Sequence, residues 1–191
     1  MKNLDKYLAL LNDEVDGLLL TSRYSRHYGA EFDIAEGVAI VSKAGCRYFT
    51  DSRYIESAEQ EVSGAEVSMP TGGMNYRKLA RAIVDELGIK TMGFEDEYMS
   101  VSLYNMWTEA LPVEFVPASD LLTDLRMVKD QDELAAMREA QRVTDEAFAA
   151  MQTAVSVMPL AILASVFPVQ GARIRASNRM AGPSGSASTT V

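Results

Sequence analysis

Gly37-Val38-Ala39-Ile40-Val41-Ser42-Lys43-Ala44-Gly45-Cys46-Arg47-Tyr48-Phe49-Thr50 is the stretch that decides the fold. Two short apolar runs flank Lys43-Ala44-Gly45, whose glycine suits a tight turn. A direct connection of this length joins antiparallel strands, because parallel neighbours need a long crossover. One antiparallel hairpin therefore sits inside whatever sheet the rest of the chain builds.

Working outward, strand and helix patterns alternate. Leu4, Tyr7, Leu8 and Leu11 recur at helical spacing, and Leu18-Leu19-Leu20-Thr21 follows as a buried strand. A helix is expected over 52–61 and a weak strand at Glu66-Val67-Ser68-Met69. Leu79, Ile83, Val84 and Leu87 mark one helix face, which Gly88 ends. Thr91-Met92-Gly93-Phe94-Glu95 reads as a strand, Val101 to Trp107 as a helix, and Val113-Glu114-Phe115-Val116 as a last strand. This alternation predicts an α/β protein. With the hairpin, it becomes a three-layer α/β/α sandwich around a mixed sheet. Leu121 to Arg126 reads as a short bridge. Asp130 and Glu133 have capping-box spacing, and the helix behind them carries an apolar stripe of Leu134, Met137, Val143, Phe148 and Met151.

Composition bounds the function. The 191 residues are 48% hydrophobic and 24% charged, a globular balance, with a net charge of −9 that argues against nucleic-acid binding. All 27 acidic residues fall within 1–153, whereas 154–191 carries only Arg173, Arg175 and Arg179 as charges. That break marks a boundary near 153, and Pro117 to Asp120 interrupts the strand–helix rhythm, so three parts are expected: a domain over 1–118, a linker and helix over 119–152, and an irregular tail over 153–191. The apolar run 154–169 is broken by Pro159 and Pro168 and is short for a membrane span, so no membrane association is expected. No signal-peptide pattern opens the chain, and Cys46 has no disulfide partner, so a cytoplasmic location is expected.

His27 is the only histidine, which removes an imidazole metal site and leaves any triad resting on one residue. It is expected in a loop or as a structural histidine. Asp51 and Glu95-Asp96-Glu97 follow strands, where carboxylates could hold Mg²⁺ as in a metal-dependent nuclease. The plainer expectation is that Asp51 caps a helix at Ser52–Arg53 and that 95–97 is a solvated loop. Gly72-Gly73 lacks a phosphate-binding pattern, Cys46 reads as core, and the methionines at 69, 92, 99, 106, 127, 137 and 151 read as core-like.

Several stretches add a family resemblance. Phe49-Thr50-Asp51-Ser52-Arg53-Tyr54-Ile55-Glu56-Ser57-Ala58 resembles the "TDSRYxEQA" segment of the creatinase/prolidase N-terminal domain. Gly93-Phe94-Glu95 with Ser102-Leu103-Tyr104 resembles its "GFE…YxxL" passage. Asp124 to Leu134 resembles its "LRxIKxxxEI" junction, and Thr144-Asp145-Glu146-Ala147-Phe148 its "AxxxTDxAF" helix. Ser25 to Phe32 sits where the family has an "NxxYLxGF" loop, with the pattern's Leu and Gly replaced.

The resemblance implies a ribonuclease H-like α/β/α layout and kinship with Xaa-Pro aminopeptidases and prolidases of the M24 class. In those enzymes a downstream pita-bread domain binds two divalent metals such as Mn²⁺ through Asp, His and Glu. This chain has no histidine or acidic residue after Thr153. The expectation is a truncated, non-catalytic domain with no cofactor of its own, whose parental role is subunit contact and active-site access. Its partners would be a second copy or the missing catalytic domain, with proline-containing peptides engaged only at full length. The resemblance implies that loops of this domain approach a neighbouring subunit's active site, with Tyr28, Phe32, Arg53 and Tyr54 as the candidates; the plainer expectation is that Tyr28, Phe32 and Tyr54 are core and Arg53 forms a surface ion pair. A stand-alone binding or dimerisation module is the alternative, and a metal-dependent nuclease a third.

Overall fold

The structure, a computed structural model, describes residues 2–30, 32 and 36–157. It divides into two compact units, 1–129 and 130–191. The first contains α1 (Lys2–Leu10), β1 (Gly17–Leu20), α2 (Arg23–Ala30), β2 (Val38–Ser42), β3 (Gly45–Phe49), α3 (Ile55–Glu61) and β4 (Glu66–Ser68). It continues with α4 (Tyr76–Leu87), β5 (Thr91–Phe94), α5 (Val101–Ala110), β6 (Glu114–Pro117) and α6 (Ser119–Met127).

The strands form one six-stranded sheet in the order β4-β3-β2-β1-β5-β6. The expected hairpin pairs Val38 with Phe49 through Ser42 with Gly45. β2 is antiparallel to both β1 and β3, while β1–β5, β5–β6 and β3–β4 are parallel. Five strands thus run one way, and the ends of β1, β3, β4, β5 and β6 open on the same edge of the sheet.

Alternation along the strands fills two cores. Leu18, Leu20, Val41 and Tyr48 face one side with Tyr7, Ala58 and Leu122 of the helices. Leu19, Ile40, Phe49 and Met92 face the other with Ile83, Val84 and Trp107. Because β1 and β2 are buried along their whole lengths, their side chains are apolar on both faces. This is the three-layer α/β/α arrangement with a mixed sheet read from the sequence.

Local signals explain most helix ends. The Asn75 side chain accepts the Lys78 N–H at 3.0 Å to open α4. Gly88 closes it at φ +67°, a left-handed position. Ser100 caps α5 through the Leu103 N–H.

Four expectations need correction. The segment from Ser25 is helix α2 rather than loop, because the Ser22 Oγ and carbonyl accept the N–H groups of Ser25 and Arg26 and start a turn there; His27 lies exposed on it. The bridge over 121–126 is helix α6, fixed by burial of Leu122 at 1% exposure. Asp51 caps no helix: α3 starts at Ile55, and Tyr54 precedes it without a side-chain cap. Of the seven methionines read as core-like, only Met92 and Met99 are buried, and Met127, Met137 and Met151 are more than half exposed.

The second unit holds α7 (Gln131–Val157). Its start is the expected capping box: Asp130 Oδ1 accepts the Glu133 N–H at 2.9 Å, and Glu133 Oε2 accepts the Asp130 N–H at 2.8 Å. Of the expected tail, 153–157 continue α7, and 158–191 lie outside the described residues. No helix among the described residues is long and apolar enough to cross a membrane.

Candidate functional site

The sheet edge where five strands end carries the charged and aromatic loops. After β3 the chain turns through Thr50-Asp51-Ser52-Arg53-Tyr54. Thr50 is fully buried: its N–H donates to the Ser68 carbonyl, and its hydroxyl to the Glu36 carbonyl, both at 3.1 Å. That anchors the turn to β4 and to the segment before β2.

Asp51 then folds back on its own loop. Its Oδ1 accepts the Arg53 N–H at 2.9 Å, a local turn of the kind Asp favours. The Arg53 guanidinium lies against both carboxylate oxygens, with Nη2 to Oδ2 at 2.5 Å and Nε to each oxygen at 3.1 Å. These hydrogen bonds hold the Asp51 carboxyl below the usual carboxylate range and push the Arg53 guanidinium up. Arg53 also stacks 5.1 Å from the Tyr54 ring. The turn therefore presents an oriented, exposed cation beside a half-buried phenol.

Beside it opens a cleft of about 460 Å³, lined by Glu36, Asp51, Met69, Pro70, Met74 and Tyr76 among others. Burial raises the Tyr76 phenol, and the Asp51 and Glu36 charges add to the effect. The Tyr76 phenol and the Asp51 carboxylate that pairs with Arg53 thus border one opening.

Tyr28 and Phe32 have different surroundings. The Tyr28 hydroxyl accepts from Lys6 Nζ at 3.1 Å, and its ring packs edge-on to Tyr7 at 5.6 Å. Phe32 is buried against Tyr48 at 6.1 Å. The contacts of Tyr28 lie on α1 and those of Phe32 in the core, whereas Arg53 and Tyr54 are held within their own turn.

Glu95 is a functional-looking residue that residue-by-residue reading placed in a solvated loop. It is 5% exposed. Its Oε2 accepts the N–H groups of Thr21 and Ser22, both at 2.8 Å, and its Oε1 accepts the Ser22 hydroxyl at 2.5 Å. The sequence signal available was its place in the "GFE" pattern. Gly93 of that pattern also has a physical reason: a Cβ there would stand 2.8 Å from Leu18 Cδ2 and 2.9 Å from Val15 Cγ1.

The carboxylates that might have suggested a nuclease are thus committed elsewhere, Asp51 to Arg53 and Glu95 to the loop after β1. Among the described residues no group of three or more His, Cys, Asp or Glu side chains could hold a metal ion. The donor set does not fit a metal pair, and no metal-dependent step is assigned to these residues.

Fold and loops together define a three-layer α/β/α domain with the Thr50–Tyr54 turn and the buried Glu95 at one sheet edge. The chain belongs to the creatinase/prolidase N-terminal domain family, whose model matches residues 2–128. It is 32% identical over 135 residues to the uncharacterized peptidase YqhT of Bacillus subtilis (strain 168), covering 70% of this chain and 38% of that protein. Among solved structures it resembles an Xaa-Pro dipeptidase from Bacillus anthracis, with a TM-score of 0.73 and 32% identity over 80% of this chain and 43% of that one. An X-Pro aminopeptidase from Thermotoga maritima MSB8 matches with a TM-score of 0.70 and 26% identity, over 81% of this chain and 43% of its own. The chain thus spans less than half the length of these relatives.

Proposed function

We propose that this chain is the non-catalytic N-terminal domain of an Xaa-Pro aminopeptidase- or dipeptidase-like protein, contributing subunit contacts and shaping access to an active site carried elsewhere. The observation that carries the reading is the Thr50–Tyr54 turn. It resembles the family's characteristic segment, yet its Arg53 is exposed and, among the described residues, its close contacts are with Asp51 and Tyr54 of its own turn. Such an oriented guanidinium suits a carboxylate or carbonyl on a neighbouring subunit or its substrate. In this reading the two divalent metals and the proline-containing peptides belong to the longer protein, which acts in the cytoplasm.

Two measurements test it. The purified chain incubated with Gly-Pro and Mn²⁺ should show no turnover, and clear turnover would overturn the non-catalytic role. Sedimentation should show concentration-dependent self-association that Arg53→Ala weakens. A strict monomer at high concentration removes the subunit-contact part.

A second reading, a stand-alone dimerisation module, draws support from α7. Met137, Val143, Phe148 and Met151 keep more than half their surface exposed along one helix. Self-association abolished by Phe148→Glu and indifferent to Arg53→Ala would favour it.

A further inference from the structure

The ends of β1, β5 and β6 enclose a cleft of about 240 Å³ that shares no residue with the opening beside Asp51. The chain leaves β1 towards α2 and β2, and leaves the adjacent parallel β5 towards α5 and β6, on the opposite side. Neighbouring parallel strands whose connections diverge in this way leave a crevice at their carboxyl ends, the usual ligand position in open α/β sheets.

The crevice walls are tied in a closed ring. Glu95 holds Thr21 and Ser22 of the β1–α2 loop. Arg126 Nη1 on α6 donates to the Ser25 Oγ on α2 at 2.9 Å. The Ser119 N–H at the start of α6 donates to Asp96 Oδ1, and the Ser119 Oγ accepts the Glu97 N–H, both at 3.0 Å. Burial pushes the Asp96 carboxyl up, but the hydrogen bonds from Ser119 together with neighbouring backbone N–H groups outweigh it and hold the group below the ordinary carboxylate range. Three loops are thus fixed before anything binds, which lowers the ordering cost of a ligand.

Opposite charges line this fixed space. Arg126 stands on one wall and has further N–H donors beyond the one given to Ser25. The Glu97 carboxylate lies on another, its backbone pinned by Ser119. Glu95 is buried and already accepts from Thr21 and Ser22, so the exposed Glu97 is the carboxylate assigned to a cation. Tyr24 and Tyr98 line the cleft with 75% and 55% of their surface exposed, two aromatic rings that support no core. The volume falls below the roughly 300–1,000 Å³ of drug-sized sites, which points to a smaller ligand.

We propose that this cleft binds a small zwitterion of amino-acid size, its carboxylate on Arg126, its ammonium on Glu97, and its side chain against Tyr24 and Tyr98. The site is independent of the Asp51–Tyr54 turn, and its failure would leave the domain's proposed role untouched.

The test is calorimetric titration of the full chain with L-leucine and L-proline, alongside leucine amide and N-acetyl-leucine. Saturable binding of the free amino acids is expected. Removing either ligand charge should weaken binding by about tenfold, the scale of one charge-assisted contact. Because Arg126 also braces α2, the deciding variants are the exposed Glu97→Gln and Tyr98→Ala, which should weaken binding while leaving the unfolding midpoint unchanged. No binding by any of the four compounds overturns the proposal. So does binding of leucine amide or N-acetyl-leucine as tight as that of free leucine, or binding unchanged in both variants.

Discussion

Glu95 accepts the Ser22 hydroxyl at 2.5 Å across 73 positions of sequence, and that same hydroxyl accepts the Ser25 N–H at the start of α2. One buried carboxylate therefore fixes where β1 ends and where the next helix begins. Glu95→Ala should cost about 3 kcal/mol, since it strands the buried donors of Thr21 and Ser22. Glu95→Gln, which can still accept through one oxygen, should cost about half as much. Urea unfolding of the two variants checks the order; equal, negligible losses would contradict the bracing role.

Two glycines should respond for different reasons. Gly93→Ala puts a methyl within 3.1 Å of Leu18, Val15 and Ala118 atoms, an overpacking cost of about 1–3 kcal/mol. Gly88→Ala meets nothing within 4 Å but must hold φ near +67°, a strain of about 1 kcal/mol. Gly93→Ala should cost less in a Leu18→Ala background than in the native one, because the clash is then relieved, whereas Gly88→Ala should cost the same in both.

Phe32 and Arg53 both lie in stretches that resemble the family pattern, and they should separate in the laboratory. Phe32→Ala empties a core position against Tyr48 and should destabilise by about 3 kcal/mol. Arg53→Ala removes an exposed side chain and should leave the thermal midpoint unmoved while altering self-association. A large fall in midpoint for Arg53→Ala would make the turn a structural element.

Alkaline pH should unfold the domain through its buried phenols. Burial raises Tyr7, whose hydroxyl donates to the Ser25 carbonyl, and it raises Tyr48 as well. Their neutral forms are favoured when folded, so this stability is complete below the unfolded value of about 10 and is lost as pH rises above it. Tyrosinate absorbance and far-ultraviolet circular dichroism followed together should show the last phenols ionising only as structure is lost. Ionisation of every tyrosine in an intact fold would contradict it.

Cys46 should behave as a silent thiol. It is buried in β3, and burial pushes its ionisation up. Little of it is thiolate near neutral pH, so a thiol-specific reagent should label the native chain far more slowly than the urea-unfolded one. Equal rates would mean that β3 opens readily.

Features that depend on neighbours a few residues apart are legible in the chain's residues alone. The apolar–turn–apolar run from Gly37 to Thr50 specified an antiparallel hairpin, and the alternation around it specified layered α/β. Gly88 could be read as a helix terminator, and Asp130 with Glu133 as a capping box, because the groups involved meet within one turn. The resemblance in 49–58 and 124–134 pointed to the family whose model matches 2–128. Tertiary structure alone decided that β1 lies between β2 and β5, that α6 packs as a helix, and that Glu95 is buried while Asp51 is not. Those outcomes rest on contacts such as Glu95 with Ser22 and Arg126 with Ser25, 73 and 101 residues apart. A carboxylate after a strand looks the same in sequence whether its donors come from its own turn or from a loop across the sheet, and only the folded chain sets which donors arrive.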